Sequence, residues 1–192
     1  MTNRQLHYDA PAGQWVEALP LGNGRIGAMA FGSVPEEVFA LNEDTLWSGT
    51  PSDLNRPGAW KFYEQARDRA LEGRYREAQE VLRQNVCGEF GEAYMPLGNL
   101  RLRMEESAEP VSGYRRTLSL DRAVHTVSYG RGGVRYRRES FLSAVRQALF
   151  VRLTAQGGTF SVCVTLDSPL RASVQAQGQE VQMLAECPSQ VS

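Results

Sequence analysis

After Pro96 the apolar positions recur every second residue. Leu100, Leu102 and Met104 alternate with Arg101 and Arg103, and Val124, Thr126 and Ser128 alternate with His125, Val127 and Tyr129. Leu149, Val151 and Leu153 form a third set. Phe160, Val162, Val164 and Leu166 form the clearest one, with Ser161, Cys163 and Thr165 opposite. Successive side chains of a strand leave opposite faces, so this alternation predicts half-buried antiparallel strands. Gly130 to Gly133, Gly157-Gly158 and Gln177-Gly178 fall where hairpin turns belong. Upstream, Arg25 to Ser33 and Val38 to Asn42 read as strands, and Pro51, Pro57 and Gly58 punctuate a loop. Between Ala59 and Asn85 the spacing becomes helical. Trp60, Tyr63, Ala70 and Leu71 share one face, and Ala78, Val81 and Leu82 share another beyond Gly73. A glycine inside a helix costs about 1 kcal/mol relative to alanine. The segment is therefore two short helices joined at Gly73, ending near Cys87-Gly88. The predicted class is mainly β, an antiparallel sandwich with a helical hairpin inserted at about 59–85.

The composition is that of an ordinary globular domain, with 42% hydrophobic and 22% charged residues in a chain of 192. No apolar run reaches the ~20 residues of a membrane helix, and no secretory leader is visible, so the expectation is a cytoplasmic protein or, alternatively, a secreted or periplasmic one whose leader has been removed. Three widely spaced cysteines, Cys87, Cys163 and Cys187, make a poor disulfide framework and have no metal-ligand spacing; free thiols are expected. The net charge of −1 gives no pull toward nucleic acid or membrane. Locally the balance is uneven, with ten arginines against five acids from Arg101 to Arg146. Such a stretch reads either as an anion-binding face or as outward strand positions with solvated guanidinium heads. The absence of interleaved aromatic residues favours the second.

Gly22-Asn-Gly-Arg-Ile-Gly27 fits G-x-G-x-x-G, but a dinucleotide site needs a helix directly after the glycines. Ala28 to Gly32 looks extended instead, so a glycine hairpin is expected. Leu41 to Gly49 is polar in the middle and ends in an aromatic. Glu43 and Asp44 are sequence neighbours that would point to opposite faces of an extended segment. They are a poor match to the two carboxyls, ~5 to 9.5 Å apart, that flank a scissile glycosidic bond. Trp47 has the ring to stack on a sugar; equally, the segment is a turn in which Asn42 or Asp44 caps backbone groups. Arg25 is available to a carboxylate such as Glu43 or Asp44, which would fix the loop, and Trp47 brings an apolar face expected to be buried. With only His7 and His125 present, no metal site, cofactor site or histidine-based triad is expected.

Six stretches together resemble the N-terminal domain of glycoside hydrolase family 95, the inverting α-L-fucosidases and their relatives. They are Trp15 to Met29, Leu41 to Gly49, Leu71 to Ala78, Tyr94 to Leu100, Tyr114 to Asp121 and Tyr136 to Phe141, in the family's order. The resemblance implies a large β-sandwich (a supersandwich) over 1–185, with 186–192 opening a linker. It also implies a C-terminal (α/α)₆ barrel that carries the catalytic groups and meets the oligosaccharide substrate. No catalytic residue is carried over to this chain. Arg25, Asn42, Glu43, Asp44 and Trp47 are the candidates for a domain-facing surface or the rim of the sugar site. A free-standing carbohydrate-binding module, using Trp15, Trp47 and Trp60, is the competing reading. A phosphorylase-type relative fits the motifs less well.

Overall fold

The computed structural model describes residues 4–50, 53, 55–88, 92–105 and 108–189; Pro51 and the last three residues, to which loop and linker expectations extended, lie outside them. The chain divides into two units, 1–47 with 94–187 and 48–93 with 188–192.

Among the described residues the first unit has twelve antiparallel strands. They are β1 (Gln5–Tyr8), β2 (Leu19–Gly22), β3 (Ile26–Ala30), β4 (Glu36–Glu43), β5 (Gly98–Glu105), β6 (Ser112–Ser119), β7 (Val124–Arg131), β8 (Val134–Ser143), β9 (Ala148–Gln156), β10 (Ser161–Asp167), β11 (Arg171–Gln177) and β12 (Glu180–Glu186). One sheet has the order β1-β6-β7-β8-β9, a second β10-β5-β4-β3-β2, and β11-β12 is a separate hairpin. Phe39, Leu102, Ala28 and Leu21 of the second sheet pack on Leu118 of the first, with Leu142, Leu149 and Val151 around them. Met104 packs on Val127, Tyr129 and Tyr136 in a second apolar cluster. The two sheets thus face each other across a shared core, as a sandwich requires. Gly22 to Gly27 forms the β2–β3 hairpin, not a nucleotide loop. Asn23 Oδ1 accepts from the amides of Arg25 and Ile26 at 3.0 and 2.7 Å, and Gly24 supplies the positive φ of 94°.

Between the two apolar clusters runs a polar layer. Along β6, Arg116 sits between Tyr114 and Leu118; along β8, Arg138 and Ser140 sit between Tyr136 and Leu142. His125 of β7 and Glu37 of β4 complete the layer. Arg138 (2% exposed) donates to the Glu37 carboxylate (0%) across the two sheets, and to the Ser33 carbonyl at 3.1 Å. This corrects the expectation that the arginines between 101 and 146 hold solvated positions: Arg116 and Arg138 are inward residues of their strands. Period-two alternation assigns a face to each position, but it does not say that a charged residue will occupy the inner one.

Two further expectations change. β10 was to be half-buried, yet Ser161 to Thr165 are exposed on both faces. Among the described residues it is an edge strand whose ladder partner is β5, so one side of it is left without a neighbouring strand. In the second unit, α1 (Trp60–Leu71) and α2 (Tyr75–Asn85) meet through Gly73, whose φ is 78°. The buried stripe is Ala66, Ala78 and Val81, whereas Trp60, Tyr63 and Leu71 are exposed. The hairpin is close-packed on small residues and leaves its aromatics outside. Among the described residues no helix is long and apolar enough to cross a membrane.

Candidate functional site

Strand register positions the candidate loop. Ile26 of β3 faces Glu43 of β4, and Gly27 faces Asn42. Arg25 therefore lies beside the residues that leave β4, and its carbonyl accepts from the Asp44 amide at 3.0 Å. Its guanidinium Nε donates to Glu43 Oε1 at 2.7 Å. The other oxygen of that carboxylate accepts from the Thr45 amide at 2.9 Å and the Thr45 hydroxyl at 2.6 Å. The hydroxyl of Thr45, then Arg25, hold the Glu43 carboxyl down at about 2, and Glu43 in turn raises Arg25. Glu43 is thus an ionised structural anchor. A glycosidase general acid needs a raised pKa, so Glu43 has the wrong electrostatics for that role.

The loop beyond Glu43 is closed by aromatic contacts. The indole N–H of Trp47 donates to the Asp44 carbonyl at 3.1 Å, and its ring lies 5.2 Å from that of Tyr94 at 53°. The Tyr94 hydroxyl donates to the Glu43 carbonyl at 3.1 Å, and the Met95 amide to the Leu46 carbonyl at 2.9 Å. Trp47, expected to bury an apolar face, remains 50% exposed; Tyr94 shields only one side of it. Asp44 is exposed, and its carboxylate makes no hydrogen bond or ion pair among the described residues.

The five candidate residues do not form one cluster. Arg25, Glu43 and Trp47 join with Thr45 and Tyr94 around the backbone of Asp44. Asn42 alternates to the other face of β4. There it lines a groove of about 430 Å³ together with Trp15, Leu21, Ala40 and Asn99. Sequence reasoning placed Thr45 in the loop without giving it a role, and missed Tyr94 as the loop's partner. Tyr94 lies 51 positions from Glu43, and the pairing of Trp47 with Tyr94 brings the two segments together. Among the described residues no group of histidine, cysteine and carboxylate side chains is placed to hold a metal.

The fold is an antiparallel sandwich that carries a locked polar-aromatic loop beside a half-exposed tryptophan. The glycosyl hydrolase family 65, N-terminal domain model matches residues 6–191, and the chain belongs to that family. The motifs resembling the N-terminal domain of the family 95 fucosidases are consistent with this membership and with the relatives found. Alpha-L-fucosidase 2 of Arabidopsis thaliana is 32% identical over 189 residues, covering 95% of this chain and 22% of the relative. Two proteins named Probable alpha-fucosidase A, from Aspergillus niger and Aspergillus oryzae, are 31% and 27% identical, covering 88% and 82% of this chain. The chain spans 22% of the length of each of the three.

Proposed function

We propose that this chain is the non-catalytic β-sandwich portion of a longer α-L-fucosidase-like glycoside hydrolase. In that reading the protein cleaves fucosyl or related glycosidic bonds by inversion, with its catalytic groups in a C-terminal (α/α)₆ barrel. The observation that carries it is the family match over 6–191 together with fucosidase-named relatives of which the chain spans about a fifth. The electrostatics agree, since the carboxyl best placed beside an exposed aromatic is held ionised at about 2. We assign Arg25, Glu43, Asp44, Trp47 and Tyr94 to a rigid rim that shapes the sugar site or faces the barrel. Free thiols and the chain's composition support a reducing, cytoplasmic setting.

The test compares this chain with a C-terminally extended protein on p-nitrophenyl α-L-fucoside. The extended protein is expected to turn over and the 192-residue chain to be inert. Turnover by the chain that disappears in Glu43→Gln would defeat the reading. In the extended protein, Trp47→Ala should lower kcat/KM with the melting temperature kept. The reverse pattern would make the loop purely structural.

A specific observation also favours carbohydrate binding by the sandwich itself. Trp15 is exposed and lines one groove with Asn42 and Asn99, which puts an aromatic ring and two side-chain amides in the same concavity. Calorimetry with fucosylated oligosaccharides on the 192-residue chain and its Trp15→Ala variant separates this reading from the first.

A further inference from the structure

Arg116 is a buried cation whose charge the described residues leave unanswered. It is 3% exposed. Its Nε donates to the Ala10 carbonyl and its Nη1 to the Glu17 carbonyl, both at 2.9 Å, and the ring of Tyr8 covers it with the centroid 4.5 Å from Cζ. Two carbonyls and a ring face fix the guanidinium but supply only partial charges. Among the described residues no carboxylate pairs with it. The Glu17 carboxylate, which is near in sequence to the bracing carbonyl, is instead committed to the amides of Gly13 and Gln14 at 2.7 and 3.1 Å. Burying an arginine without a counter-ion is costly, in contrast to Arg138, which has Glu37.

Arg116 lines a groove of about 730 Å³ whose walls include Leu6, Tyr8, Val16 and Pro20. Three of these expose large apolar surface, Val16 to 76%. A fixed guanidinium beneath apolar walls is matched by an anion carried on an apolar or ring-shaped body. A single cation, with Asp9 at the exposed rim, suits one negative charge better than the two of a phosphate monoester. We propose that this groove binds a small organic carboxylate. The carboxylate sits on Arg116 and the body of the ligand packs against Tyr8, Leu6, Val16 and Pro20. The site is separate from the Arg25–Glu43 loop, and the inference does not depend on the glycosidase reading.

The experiment titrates the 192-residue chain with p-nitrophenyl β-D-glucuronide and with p-nitrophenyl β-D-glucoside, which differs by lacking the carboxylate, followed by ¹H–¹⁵N NMR. The glucuronide is expected to bind at least about tenfold more tightly than the glucoside, with the largest shifts at Tyr8, Val16 and Arg116. Val16→Asp puts a negative charge on an exposed wall without touching the core, and should weaken glucuronide binding at least about tenfold while the rest of the spectrum is kept. Arg116→Gln should erase the preference for the carboxylate; because Arg116 also braces two loops, Val16→Asp is the deciding variant if Arg116→Gln fails to fold. Equal affinity for the two compounds, no glucuronide binding at millimolar concentration, or a Val16→Asp protein that binds as the parent does would each overturn the proposal.

Discussion

Of the arginine–glutamate pairs in this sandwich, Arg25–Glu43 and Arg138–Glu37 do different things. Arg25–Glu43 sits at the surface, with the guanidinium side chain 59% exposed, and Glu43 also takes two bonds from Thr45. Arg138–Glu37 sits in the polar layer of the core. At the surface water competes for both partners, so the pair contributes shape more than stability. In the core there is no such competition. Burial holds the Glu37 carboxyl above its ordinary value, and Arg138 with the amides of Gly32 and Val38 offsets only part of that rise. The same chemistry is thus a loop lock in one place and a sheet-to-sheet tie in the other. What differs is the cost of leaving one partner alone.

The largest expected effect follows from that cost. Arg138→Met strands the Glu37 carboxylate and should lower stability by about 3–5 kcal/mol in urea denaturation, the range for breaking a buried pair. Adding Glu37→Leu should return part of the loss, because no charge is then buried; the amide of Gly32 stays without its acceptor and keeps the recovery incomplete. A single variant as stable as the parent would show that the pair is not what ties the sheets.

His125 sharpens the contrast through pH. It is buried against Ser140 Oγ at 3.2 Å, and burial, then the charges of Arg138 and Arg116, push its imidazolium down to about 3. The folded state keeps the ring neutral while the unfolded chain takes up a proton below about 6.5. Stability is therefore full above pH ~6.5 and is lost as the pH falls toward 3, by on the order of 3 kcal/mol at pH 4. Urea midpoints at pH 7, 5 and 4 should show the decline, and His125→Phe should flatten it. An unchanged slope in the variant would assign the acid sensitivity elsewhere.

The surface pair should be far quieter. Arg25→Ala is expected to leave the melting temperature nearly unchanged, while the loop around Trp47 loses order. Glu43 has a lowered pKa, so its contribution is fully present above the ordinary carboxylate value of about 4.3 and fades as the pH falls toward 2. NMR titration of the Glu43 side-chain carbon reads this directly; an inflection near 4.3 in the parent would refute the lock, and in Arg25→Ala the inflection should rise. The smallest effect concerns the thiols. Cys87 and Cys163 are exposed and Cys187 half-buried, all three free. Titration under denaturing, non-reducing conditions should find three per chain, and removing each thiol should barely move stability.

Much of this was legible in advance for a physical reason. The period-two runs from Leu100, Val124 and Leu149 became β5, β7 and β9, and Gly73 marked the helix junction, because these signals are local. So was the hairpin reading of Gly22 to Gly27, since Asn23 and Gly24 shape their own turn. The polar layer was not legible. His125 and Arg138 sit in strands whose alternation is ordinary, and it is the facing Glu37, with the Ser33 carbonyl, that makes the inner position of Arg138 tenable. Tyr94 was equally hidden, because its place beside Trp47 depends on a pairing across 47 positions. The exposure of Trp47 and of β10 also depends on what stands opposite, which alternation does not encode.

The sequence by itself determined the β class, the helical hairpin and the kinship with sugar-cleaving enzymes, since periodicity, glycine placement and motif order are properties of neighbours along a chain. Tertiary structure alone decided which arginines are buried, which carboxylate each one meets, and that Arg116 meets none among the described residues. Charge pairing across a sandwich depends on distance in space and on exclusion of water, and neither is written in the order of the residues.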